Sequence, residues 1–187
     1  MSKVTTGEVI LSYAQVWEAR SFEGGKPKYS TQVLIDKSDK DTLKDINTAI
    51  RNAMEQGVAK GYWKSGTDPK SFRNPVVRDG DVERSDDPAY KGKFFISAKS
   101  INKPIIVDQN VQEILDRDEI YSGVIAKVHI SFYPYSMSTN KGLACGLEAI
   151  QKVADGERLD GGGVDVKSVF GKVDSFSPVE ELGDDIW

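Results

Sequence analysis

Residues 124–135, VIAKVHISFYPY, separate cleanly into two faces when the segment is read with a period of two. Val124, Ala126, Val128, Ile130 and Phe132 share one face, and all are apolar. Ile125, Lys127, His129, Ser131, Tyr133 and Tyr135 share the other. Successive side chains on a strand point to opposite sides, so the segment reads as a strand with one buried face. It is the strongest strand signal in the chain. It commits the fold to a sheet with its core on one side.

The rest of the chain supplies partners for it. Residues 7–19 and 29–35 are rich in β-branched and aromatic residues and flank the Gly-Gly loop FEGGKPK, which predicts a hairpin. Residues 93–100 (KFFISAKS) and 141–153 (KGLACGLEAIQKV) are further strands, the second paired to 124–135 through the turn SMSTN. Leu43, Ile46, Ile50 and Met54 recur at intervals of three and four, which predicts an amphipathic helix with Ser38 as its N-cap and Gly57 or Gly61 at its end. Residues 64–92 show no period and form a long loop, a feature that is usually functional or mobile. Two strands, a helix, a long loop, a strand and a final hairpin suit a mainly β fold. The expectation is a five-stranded OB-like Greek-key barrel with an inserted helix, long loops and a disordered acidic C-terminal tail. An α+β sandwich is the alternative.

The polar face of 124–135 is unlike an ordinary solvated strand. It carries a lysine, an imidazole, a serine hydroxyl and two phenols, and the strand 93–100 repeats the arrangement with Lys93, Phe95, Ser97 and Lys99 opposite Phe94, Ile96 and Ala98. Cations neutralise phosphates and exposed rings stack on unpaired bases, so the pattern points to single-stranded nucleic acid. The candidate contacts are Lys93, Phe95, Lys99, Lys127, Tyr133 and Tyr135, flanked by Arg73, Arg78 and Lys141 as phosphate contacts. Lys26, Lys28, Arg84 and Lys103 add loop charge. The competing reading packs Phe95 or Tyr133 beneath the long loop or the helix.

Catalytic patterns fail. Asp79, Asp81 and Glu83 alternate as in a calcium loop, but Arg84 and Tyr90 stand where that loop needs Gly and Glu. His129 and Cys145 are the only residues of their kinds, too few for a zinc site. Cys145 alternates in step with Leu143 and Leu147, away from the face that carries His129. There is no phosphate-binding glycine loop after a strand. The expectation is a non-enzyme without cofactor or metal. The lone cysteine, the absence of an apolar run of membrane length and the N-terminal MSKVTTGEVIL predict a cytoplasmic protein without a membrane partner.

Charge is divided unevenly. Residues 1–152 hold 22 Lys and Arg against 20 Asp and Glu, while 153–187 hold 3 against 9, so a body of +2 carries a tail of −6. This divides the chain into a binding domain (1–153), a flexible linker (154–174) and an acidic partner-binding tail (175–187). The tail ends with Asp184, Asp185, Ile186 and Trp187. A tethered polyanion competes for a cationic groove, and a terminal aromatic fits an apolar pocket on a protein partner.

The stretches KYSTQVLIDKSD, VRDGDVERSDDPAYKGKFFISAKSINKP and YSGVIAKVHISFYPYSMSTNKGLACGLEAIQKVADGERL resemble the bacteriophage single-stranded DNA-binding proteins of an OB-fold family, distantly similar to the phage helix-destabilising proteins. The resemblance spans about residues 7–160. It implies a non-enzymatic accessory of phage DNA replication, recombination or repair, in the host cytoplasm, binding single strands without strong sequence preference. The DDI-aromatic ending is similar to the tails of bacterial single-strand-binding proteins, but it lacks their Pro and ends in Trp187. The tail is therefore expected to recruit replication or recombination proteins. The rival expectation is a protein–protein scaffold whose aromatic strand face is an oligomer interface, and homo-oligomerisation stays open in either case.

Overall fold

The strand that alternates most strictly is the one on which the sheet is built. A computed structural model describes residues 2–21, 24–159, 170, 171 and 173. In chain order its elements are β1 (Lys3–Thr5), β2 (Val9–Arg20), β3 (Lys28–Asp36), α1 (Lys40–Ala59), β4 (Arg78–Asp79), α2 (Gly80–Glu83), β5 (Lys93–Ser100), β6 (Ile105–Val107), β7 (Ile125–Met137) and β8 (Asn140–Ala154). Short 3-10 turns lie at Pro69–Ser71, Pro88–Tyr90 and Arg117–Glu119. The fold is mainly β, with an eight-stranded sheet and one long helix.

The pairings return on themselves. β2 runs antiparallel to β3, β3 antiparallel to β5, β5 parallel to β8, β8 antiparallel to β7, and β7 antiparallel to β2. β2, β3, β5, β7 and β8 are the five strands expected from the sequence. β1 adds to β7, β6 runs parallel to β8, and β4 pairs with β5. These three additions are two or three residues long, too short to show a period.

The inner face of the sheet is the apolar face. Val124, Ala126, Val128, Ile130 and Phe132 are at most 1% exposed, and they meet Leu11, Val33, Ile35, Ile96 and Leu147. Burying a side chain of this size contributes about 1.5–3 kcal/mol, so the face dominates the stability of the sheet. α1 closes one side with Ile46, Ala49, Ile50, Ala53 and Met54, the spacing of one helical face.

The helix ends correct one expectation. Asp39, not Ser38, is the N-cap, and its carboxylate accepts from the Thr42 N–H at 3.2 Å. The Ser38 hydroxyl and N–H are drawn instead to the Asp36 carboxylate, at 2.7 and 2.9 Å. The helix stops at Ala59, and Gly61 just beyond it turns the chain away with φ of +73°, the N–H groups of Gly61 and Tyr62 bonding the carbonyls of Val58 and Gly57. Gly57 stays inside the helix because the Trp63 ring lies against it, where a Cβ would stand 2.0 Å from Cζ2.

Candidate nucleic-acid interface

On the outer face of the sheet, residue size along β8 decides what β7 can display. Tyr133 lies opposite Ala144 and Tyr135 opposite Gly142. These small partners make room for the phenols: Tyr133 is 47% exposed, and Tyr135 is half-buried with its hydroxyl over Gly142 beside Phe72. Together with Cys145 and Leu143 they floor a cleft of about 440 Å³, whose walls bring in Lys28 from β3, Ser97 and Lys99 from β5, and Asn74, Pro75, Val76 and Arg78 from the long loop and β4. Three cations and no carboxylate line it. Arg78 has only a loose ion pair with Glu83, at 3.8 Å between half-exposed side chains. Burial holds the Tyr133 phenol above its ordinary pKa, so it stays uncharged beside an incoming phosphate.

A second cleft of about 320 Å³ adjoins the first and shares Ser97 and Lys99 with it. Its other walls are Tyr13 and Gln15 from β2, Ser30, Thr31 and Gln32 from β3, and Arg84 beyond α2. No carboxylate lines this one either. The two clefts run across neighbouring strands, from β2 and β3 over β5 to β8 and β7. Lys99 stands where they meet.

The structure thus brings together four of the residues expected from the sequence: Arg78, Lys99, Tyr133 and Tyr135. Arg73 is exposed immediately before Asn74, beside the first cleft. The others stand apart. Phe95 is 1% exposed, packed edge-on against Tyr90 at 5.2 Å and beside Leu34, so the long loop covers it and no ring face is free for a base. Lys93 is held by Asp36 at 3.0 Å. Lys127 is exposed on β7, but six residues from Tyr133, roughly 20 Å at about 3.3 Å per residue. Lys141 donates to the Tyr62 carbonyl at 2.9 Å and lines neither cleft. The tail residues Asp184, Asp185, Ile186 and Trp187 lie outside the described residues, as do most of 160–187.

Lys28 and Arg84 were visible in the sequence only as loop charges. Tyr13 was not visible as a contact. Its signal is a change of phase: Val9 and Leu11 are buried at odd positions of β2 and Val16 at an even one, so an extra residue must lie between them.

Several polar groups outside the clefts are committed to the fold. Asp79 and Asp81 both bind Lys37 Nζ at 2.7 Å, and Asp81 also accepts from the Gly92 N–H, which pins the loop to β3. His129 lies between Thr5 Oγ1 at 2.8 Å and Glu148 at 3.2 Å. Cys145 is buried, and that burial pushes its thiol pKa up and keeps it uncharged. Among the described residues no group of three or more His, Cys, Asp or Glu is placed to hold a metal ion, and no helix is long and apolar enough to cross a membrane.

Comparison with known proteins places the chain in a family. The profile of the family described as "Enterobacter phage Enc34, ssDNA-binding protein" matches residues 2–180. The chain belongs to this family. It is 28% identical over 186 residues to "Putative protein p50" of Acyrthosiphon pisum secondary endosymbiont phage 1, covering 96% of each chain. Two structures of the single-stranded DNA-binding protein from bacteriophage Enc34 share its fold. A C-terminal truncation superposes with a TM-score of 0.70 at 22% identity, over 84% of this chain and 88% of that one. A complex with ssDNA superposes with a TM-score of 0.68 at 25% identity, over 84% and 89%. Gp2.5, a single-stranded DNA-binding protein encoded by bacteriophage T7, has the same fold at a TM-score of 0.64 and 15% identity, over 95% and 98%.

Proposed function

We propose that the protein binds single-stranded DNA without strong sequence preference along the two adjoining clefts. The observation that carries this reading is the first cleft: Lys28, Arg78 and Lys99 around the rings of Tyr133 and Tyr135, with no carboxylate among them. Phosphates run past the cations and unpaired bases lie on the rings, a mode that tolerates any base because every base has a π-face. Arg73 extends the phosphate track at its rim. The closed cycle of pairings among β2, β3, β5, β8 and β7 fits an OB-type barrel, a fold whose sheet face and loops bind oligonucleotides. That the Enc34 relative has a structure in complex with ssDNA supports the same assignment.

The cellular role we infer is that of a non-enzymatic accessory in phage DNA replication, recombination or repair, acting in the host cytoplasm. The tail 175–187 competes with DNA for the cationic clefts and recruits a protein partner through Ile186 and Trp187. Tethering gives such a segment a local concentration that can reach about the millimolar range, enough to matter at low salt. Deleting 175–187 then tightens single-strand binding at low salt, and the gain shrinks as salt is added.

Titrating a labelled oligo-dT, with and without competitor duplex, tests the assignment. Saturable binding that salt weakens and duplex displaces poorly is expected. Equal affinity for duplex and single strand refutes it. A change in sedimentation on Tyr133→Ala, with DNA affinity intact, supports the scaffold reading instead.

A further inference from the structure

Three unfavourable local features converge on the second cleft, and none of them assists folding. The first is Tyr13, whose φ of +47° lies in the left-handed region that side-chain-bearing residues avoid. The β2–β3 register steps from Ser12↔Gln32 to Gln15↔Ser30, three residues against two, so Tyr13 sits in a β-bulge. Bulges re-aim side chains, and this one turns the Tyr13 ring outward until it is 59% exposed. The other two features are polar atoms. Among the described residues, Gln15 Oε1 and Arg84 Nε are the buried side-chain nitrogen or oxygen atoms with no hydrogen-bond partner. Native folds rarely leave such groups unsatisfied, because a buried donor or acceptor has given up its water. Strain and two unmet hydrogen bonds in one cleft indicate a site completed by something that binds there.

The chemistry of the walls states what that is. The Gln15 amide oxygen accepts a hydrogen bond, and the Arg84 Nε–H donates one. Tyr13 offers an open aromatic face. Arg84 cannot swing away freely, since its guanidinium lies over the rings of Phe95 and Tyr90, at 5.4 and 5.9 Å. A planar ligand that stacks on a phenol and shows a donor beside an acceptor along one edge has the chemistry that these three residues call for. Each of the four DNA bases does so on the edge it uses for pairing.

We propose that the second cleft is a base pocket, in which one unstacked base of a bound single strand lies on the Tyr13 ring and pairs its polar edge with Gln15 Oε1 and Arg84 Nε. This rests on the reading of the clefts as a single-strand path, and it adds a distinct property to that path. A donor and an acceptor suit every base, so the pocket confers no sequence preference. They suit only an unpaired base, because in a duplex that edge is already occupied. The first cleft holds the strand by charge and stacking, and the second is where single strands are told from double.

Tyr13→Gly tests the pocket without harming the backbone, since glycine adopts φ near +47° without strain. The melting temperature should hold or rise, while affinity for oligo-dT falls roughly 5- to 150-fold, the range for losing one stacked base. The salt dependence should not change, because no charge is removed. Ultraviolet cross-linking of a 5-iododeoxyuridine oligonucleotide to the unsubstituted protein, read by mass spectrometry, should give an adduct on Tyr13. If Tyr13→Gly binds oligo-dT as tightly as the unsubstituted protein, or adducts form on Tyr133 or Tyr135 but not on Tyr13, the pocket is refuted and the single-strand path stands. If the unsubstituted protein fails to retain oligo-dT at all, the functional assignment falls and the pocket with it.

Discussion

Removing the charge of Lys99 should flatten the salt dependence of DNA binding by the share of one phosphate contact. Lys28, Arg78 and Lys99 line the first cleft, and Arg73 stands exposed at its rim. If each of these four cations neutralises one phosphate, log affinity should fall against log salt with a slope of about −2.8, at about −0.7 per phosphate on a single strand. Between about 50 and 200 mM salt that slope weakens binding roughly 50-fold. Lys99→Gln leaves three cations, so the slope should drop to about −2.1 and the loss over the same range to roughly 20-fold. Lys99 is the informative choice because it borders both clefts and has no carboxylate beside it in either.

Lys127→Gln is the matched control. It removes the same charge from the same outer face, but at a place roughly 20 Å along the strand from Tyr133. Anisotropy titrations of a labelled dT oligonucleotide at several salt concentrations measure all three slopes. The reasoning fails if Lys127→Gln flattens the slope as much as Lys99→Gln does. That result would mean that the strand follows the expected residues along β7 rather than crossing the sheet through the clefts.

Other changes test the frame that holds the site. Gly57→Ala should gain about 1 kcal/mol of helix propensity but destabilise the fold overall, because overpacking against the Trp63 ring costs about 1–3 kcal/mol or more; denaturant unfolding followed by tryptophan emission gives the sign. Tyr90→Phe removes a hydroxyl that bonds Gln32 Oε1 and lies 3.1 Å from Ser12 Oγ, so chemical denaturation should show a loss of about 1–3 kcal/mol, with no loss refuting the bond's role. Asp36 is held below its ordinary value by the Ser38 hydroxyl and N–H and by Lys93, Asp81 by Lys37 and the Gly92 N–H, and Asp155 by Lys152 and Tyr121. Their folded pKa values lie below the unfolded value of 3.8, so their stabilisation is present above that pH and is lost as pH falls through the folded values. Melting temperature should therefore be flat near neutrality and decline in acid, and Asp36→Asn should make that decline shallower; an unchanged acid limb would show that the Asp36 contacts contribute nothing.

The sheet was legible because its signals are long. Five strands of eight to fifteen residues alternate for enough turns of the pleat to reveal which face is buried, and β7 does so on its inner side from Ala126 to Pro134. The helix was legible for the same reason, through Ile46, Ile50 and Met54. Its N-cap was not, since Ser38 and Asp39 are both good caps and the choice depends on Asp36, which captures Ser38 from the end of β3. The outer face was half legible. Alternation says that Phe95 and Tyr133 both point away from the inner core, and both do. It says nothing of what then lies above them.

That second layer comes from the stretch with no period at all. Residues 64–92 have no regular pattern because they pack as individual anchors: Trp63 and Phe72 ring to ring at 4.9 Å, Asp79 and Asp81 on Lys37, and Tyr90 on Phe95. The same segment therefore covers one part of the outer face and frames another. Tyr90 lies over Phe95 and closes it to solvent, whereas Arg78 and Arg84 stop at the cleft edges and add charge. Where the loop covers, an aromatic becomes a small second core with Leu34. Where it stops short, at Tyr133 opposite Ala144, the ring stays open. Two strands with the same pattern of lysine and ring thus serve different ends, and the difference lies in the loop above them.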